Sequence, residues 1–130
     1  MSAVDEISKS RYVNLVTYRR DGTPVATPVW QVTDGGELFV ISEADAWKVK
    51  RVRNDSRAVV TVCNVRGTVA PGAPSAQGTA RLLDPAGTAA ARRLLARKYL
   101  SSRLGNWFAK LLRIRRPRMI AIAVTLRDAA

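Results

Sequence analysis

Apolar and polar positions change their period several times along the chain, and each change marks an element. Tyr12-Val13-Asn14-Leu15-Val16-Thr17-Tyr18 is β-branched and aromatic, which predicts a strand. Residues 2–10 before it predict a short helix capped by Ser2. Asp21-Gly22 makes a turn, and Pro24 to Val32 alternates imperfectly and carries Pro24 and Pro28, so it is expected to be an edge or bulged strand. A second turn at Asp34-Gly35-Gly36 leads into Leu38-Phe39-Val40-Ile41, which predicts a three-stranded meander. After Ser42 the period lengthens: Trp47, Val49 and Val52 alternate with Lys48, Lys50, Arg51 and Arg53, and a Ser42-to-Asp45 capping box predicts a helix of about three turns, ended by Asn54-Asp55-Ser56.

Arg57 to Val65 reads as a fourth strand, Gly67 to Pro74 as a loop, and Ala76 to Leu83 as a fifth strand, in which Gly78 marks a bulge or a close approach of backbone. From Ala86 to Leu112 the chain is rich in alanine and leucine. There Leu100, Leu104, Trp107, Phe108 and Leu111 form one helical stripe that Gly105 interrupts. Arg118 to Leu126 predicts a final buried strand. Six strands, one short helix and one long helix predict a mainly β (α+β) domain over residues 1–130, an antiparallel barrel with helical appendages and no internal repeat.

Composition narrows the function. A chain of 130 residues with 47% apolar and 25% charged positions is expected to fold as one domain. Its longest apolar run is far below the roughly 20 residues that span a bilayer, and the Met1-to-Glu6 start lacks the basic and apolar regions of a secretory leader, so a cytoplasmic location is expected. Cys63 is the single cysteine, which excludes an intramolecular disulfide and a multi-thiolate metal site; within its β-branched run it reads as a buried structural thiol. There is no histidine. The commonest general base and every Ser-His or Cys-His pair are thereby removed, and no sequence motif marks a carboxylate metal site.

A net charge of +12 calls for an anionic partner. From Pro85 to Arg127 there is no Asp or Glu, while Arg92, Arg93, Arg97, Lys98, Arg103, Lys110, Arg113, Arg115, Arg116, Arg118 and Arg127 make that third strongly basic. In the short helix after Ser42, free backbone amides and a positive dipole end lie beside Lys48 and Arg51, which are three residues apart on one face. That pattern fits a phosphate cradle. It equally fits a solvated helix face of Lys48, Lys50, Arg51 and Arg53.

The order of motifs separates the two readings. Val16 to Arg57, with Asp21-Gly22, Thr27-Pro28-Val29-Trp30, Asp34-Gly35, Leu38-Phe39-Val40 and then Lys48-Val49-Lys50-Arg51-Val52-Arg53-Asn54-Asp55-Ser56-Arg57, resembles the pyridoxamine-phosphate-oxidase-like split barrels. It is most similar to their actinobacterial branch of flavin/deazaflavin oxidoreductases, in which a Thr-Pro-Val-Trp-like hairpin precedes Lys-x-x-x-(Ile/Leu/Val)-Arg-x-(Asn/Asp)-Pro. Lys48, Val52, Arg53 and Asp55 match, and Ser56 replaces the proline. The Gln77-to-Leu82 strand and the Arg92-to-Tyr99 helix extend the resemblance over nearly the whole chain.

The resemblance implies a six-stranded antiparallel split β-barrel and a homodimer that completes the site. It also implies a cofactor lying along the backbone of Pro28, Val29 and Trp30, with Ser42, Lys48, Lys50, Arg51 and Arg53 toward its phosphate. Coenzyme F420 is the implied cofactor, FMN the alternative. The implied reaction is hydride transfer between the reduced deazaflavin and an electron-poor small-molecule acceptor, which needs no side-chain base and agrees with the missing histidine. The acid-free third suits a long anion, as F420 carries a phosphodiester and a polyglutamate tail. Three alternatives stay open: an FMN oxidoreductase of the same fold, a cofactor-binding protein without turnover, and a nucleic-acid or anionic-membrane binder working through the basic amphipathic stretch Tyr99 to Arg118.

Overall fold

The computed structural model describes residues 3–99 and 118–127. Ten elements follow one another: α1 (Ala3–Ser8), β1 (Tyr12–Tyr18), β2 (Pro24–Trp30), β3 (Val32–Asp34), β4 (Glu37–Glu43), α2 (Trp47–Asn54), β5 (Arg57–Val62), β6 (Ser75–Leu82), α3 (Pro85–Tyr99) and β7 (Met119–Arg127). The strands form one antiparallel sheet in the order β2-β1-β5-β6-β7-β4-β3. β2 and β3 occupy opposite edges of that sheet, yet only Gln31 separates them in sequence. One residue spans less than ~4 Å of chain, so the sheet must curl until its edges meet. This closure makes the barrel.

The break at Gln31 corrects two expectations. The Pro24–Val32 run is two strands, giving seven strands where the pattern predicted six, and β2 and β4 are not neighbours in a meander. The cause is a long-range anchor: Gln31 is fully buried, and its side-chain amide donates to the carbonyls of Ile7 at 2.9 Å and Ser10 at 2.6 Å while its own Oε1 accepts from Thr33 at 2.7 Å. Pro24 and Pro28 lie on the terminal strand β2, where a missing backbone donor is tolerated.

Inside the curl, Val13, Leu15, Leu38, Val40, Val60, Ile122 and Val124 pack with Ile7 of α1 and with Val49 and Val52 of α2. The two small helices thus close the barrel with apolar side chains. Gly78 is a close approach and not a bulge: it keeps register with Ala58 and Leu126, and a Cβ there would lie 2.6 Å from the Thr125 carbonyl oxygen and from Val124 Cγ1. α3 starts at Pro85, its N-terminus held by the Asp84 carboxylate accepting from Gly87 N at 2.7 Å, and it covers Ile41 and Phe39 through Leu94 and Leu95. The predicted stripe from Leu100 to Leu111, its interruption at Gly105, and Arg103, Lys110, Arg113, Arg115 and Arg116 lie outside the described residues. Among the described residues no helix is long and apolar enough to cross a membrane.

Candidate functional site

α2 begins at Trp47 with extended Ala46 as its cap and no capping side chain, so the Ser42-to-Asp45 capping box does not form, and the helix makes two turns where three were expected. The reason is pairing: β4 runs through Glu43 against Met119 of β7, keeping Ser42 in the sheet. Ser42 is buried, and its hydroxyl donates to the Glu43 carbonyl at 3.0 Å. Asp55 ends α2, its N–H donating to Arg51 O at 2.8 Å and its carboxylate gripping Arg57 at 2.8 Å. That pair, with the side chain of Arg57 lying over the Tyr18 ring, fixes the entry to β5.

The helix gives its basic residues two directions. Val49 and Val52 face the core. Lys48 is half-buried on the flank and makes no hydrogen bond or ion pair among the described residues. Burial lowers its pKa, and the Arg51 charge lowers it further, with a smaller opposing effect from Glu43. A half-buried ammonium without a direct partner among the described residues is unfavourable.

The opposite flank of α2 presents Lys50, Arg51 and Arg53 to a cleft of about 770 Å³ shared with Tyr18, Arg19 and Arg20 at the end of β1. Trp47 and Asn54 complete its lining. Arg51 is tied into the barrel wall, its Nε donating to the buried Thr17 hydroxyl at 2.7 Å. Trp47 is 71% exposed, and the Lys50 ammonium lies 4.5 Å from its ring centroid. Arg19, Arg20, Tyr18 and Trp47 were not expected here. Nothing local marks them, because a hairpin tip meets a helix only after the sheet has formed.

Pro28, Val29 and Trp30 lie toward the far end of the hairpin, paired with Asn14, Val13 and Tyr12. They do not line the cleft. From the Pro24–Tyr18 pair at the cleft to the Pro28–Asn14 pair is four residues of strand, or about 13 Å. Pro28 is exposed, and Trp30 is half-buried, edge-on to Tyr12 with ring centroids 6.0 Å apart. Asn14 donates from Nδ2 to Gly67 O at 2.8 Å, bringing the loop after β5 beside Pro28. Cys63, next to that loop, is only half-buried, and burial raises its thiol pKa. That shift disfavours the thiolate, the reactive form.

The pyridoxamine 5'-phosphate oxidase family matches residues 2–128. The chain belongs to this family. Its split-barrel fold recurs in solved structures at low identity. An F420 reductase is 20% identical with a TM-score of 0.62, over 97% of this chain and 93% of that one. The heme storage protein HutZ from Vibrio cholerae is 10% identical with a TM-score of 0.69, over 97% and 89%. A heme binding protein from Mycobacterium smegmatis is 19% identical with a TM-score of 0.64; this chain is covered to 98% and spans 52% of that protein. No curated relative matches the sequence. Solved structures of this fold therefore include an F420 reductase, a heme storage protein and a heme binding protein.

Proposed function

We propose that this chain is a flavin-type oxidoreductase that uses coenzyme F420, with FMN as the alternative cofactor, and that Lys48 holds the cofactor's phosphate. The observation that carries the reading is Lys48 itself: half-buried, without a hydrogen-bonded partner among the described residues, and pressed by the Arg51 charge. When bound, such a cofactor supplies hydride transfer to or from an electron-poor acceptor. The protein's part is binding and orientation.

Pro28 withholds one backbone donor on a terminal strand paired on one side only with β1, and the amides of that strand that point away from β1 are the local donors for a ring's carbonyls. Lys48 supplies a compact charge to the phosphate, and Arg51 reinforces the field from three residues on. Ser42, buried behind this flank, acts as a positioning residue through its bond to Glu43. The Trp30–Tyr12 edge contact holds the hairpin end rigid. A homodimer completes the site in this reading.

The test is Lys48→Ala. Loss of a charge-assisted contact is expected to weaken cofactor binding by about 1.5–3 kcal/mol, roughly tenfold to a hundredfold, in a fluorescence titration. Unchanged affinity in a folded variant removes the cradle.

A further inference from the structure

We propose that the cleft between the β1–β2 turn and the outer flank of α2 is an anion site of its own, separate from Lys48, for a group carrying at least two negative charges, such as a phosphate ester or a dicarboxylate. The argument starts from uncompensated charge. Arg19, Arg20, Lys50, Arg51 and Arg53 converge on one cleft, and among the described residues no carboxylate lines it. Of the two nearest acids in sequence, Asp55 grips Arg57, and Asp21 accepts from the Thr23 N–H at 2.9 Å and offsets only the charge of Arg19, leaving Arg20, Lys50, Arg51 and Arg53 without an acid in the cleft. A second ion pair, Arg81 with Glu37, is on another part of the sheet.

Arg51 is the built element of this site. With Nε fixed on Thr17, its two terminal nitrogens have no hydrogen bond among the described residues. A guanidinium held this way loses little freedom on gripping two oxygens at once, the geometry that suits phosphate and carboxylate. Burial and the charge of Arg19 both lower the Arg51 pKa, so an arriving anion relieves a strain already present. A monovalent ion would leave most of that repulsion standing and would fill little of a cleft of about 770 Å³. Lys48 is absent from the lining, which separates the two sites along the helix.

The probe is inorganic pyrophosphate, titrated calorimetrically into the full chain at physiological salt. Saturable binding of one per chain is expected. Arg19→Gln, at an exposed position that leaves the core untouched, and Arg51→Gln are each expected to weaken it by about tenfold or more. Lys48→Met and the surface control Arg93→Gln should stay within about twofold, the range of a screened distant charge. Absence of saturable binding overturns the site. So does an equal loss in Arg93→Gln, which would mean diffuse charge, or in Lys48→Met, which would mean one site.

Presaturation with cofactor then assigns the source of the anion. If F420 but not FMN blocks pyrophosphate, the doubly charged group belongs to the cofactor's far end; if neither blocks it, a separate small molecule carries it. Both results uphold the site. Blocking by both cofactors overturns its separateness. A chain that binds pyrophosphate in this pattern but neither cofactor keeps this inference and loses the proposed function.

Discussion

Two residues show how differently a single position contributes. Lys48 stands in an environment that is unfavourable for a lone ammonium, and its value is expected only when an anion arrives. A folded Lys48→Ala should therefore be no less stable than the parent in urea while binding cofactor worse. Gly78 is the opposite case. A methyl group there meets the Thr125 carbonyl and Val124 at 2.6 Å, with backbone on one side and core on the other. Gly78→Ala is expected to cost about 1–3 kcal/mol, the usual range for overpacking, read as a lower urea midpoint at unchanged slope. A midpoint equal to the parent's would mean that β6 and β7 are farther apart than described.

At the scale of elements, α3 is fastened to the barrel corner by one side chain. The Lys98 ammonium donates to the carbonyls of Ser10 at 2.7 Å, Gln31 at 3.0 Å and Ser8 at 3.4 Å, joining α3 to the end of α1 and to the β2–β3 break. Burial brings its pKa down to about 8, below the value near 10.5 of an unfolded chain. Between those values the unfolded chain holds the proton that the folded chain has released, so stability is expected to rise with pH from about 8 toward 10.5. Lys98→Met should abolish that rise and, by removing the donor shared by the carbonyls of Ser8, Ser10 and Gln31, loosen α3 from the barrel corner. Denaturation midpoints across that pH range check both. A rise that persists in Lys98→Met would assign it to another group.

The same elements show what was legible in the sequence. β-Branched, aromatic and apolar runs between turn signals located β1, β4, β5, β6 and β7 to within a few residues, because such side chains fit a pleated, at least half-buried surface. Gly78 was legible as either a bulge or a close approach because glycine inside a strand has few other uses, and the register with Ala58 and Leu126 decides for the close approach. The start of α2 was not legible. A serine three residues before an acid is a capping signal only if the strand ahead has ended, and β4 continues because β7, far along the chain, pairs with it. The split at Gln31 was hidden for the same reason, since its partners are the carbonyls of Ile7 and Ser10. Lys48 to Arg53 were legible as a basic run, but their division between two flanks depends on where the hairpin tip carrying Arg19 and Arg20 comes to rest.

For the whole molecule, a sheet closed by its own edges leaves one face of β1 and β5 with half-buried Tyr12, Val16 and Val59 outside both core clusters. That surface accords with the proposed homodimer, for which sedimentation should give twice 14.2 kDa; a single-chain mass at micromolar concentration would contradict it. The high positive charge favours fast capture of anions and makes every affinity fall with salt, so titrations belong at physiological ionic strength. The central claim is that this barrel binds a phosphate-bearing flavin-type cofactor. It is tested most directly by fluorescence titration of the purified protein with coenzyme F420 and with FMN side by side: saturable binding, tighter for F420, is predicted, and no saturable binding of either would contradict the account.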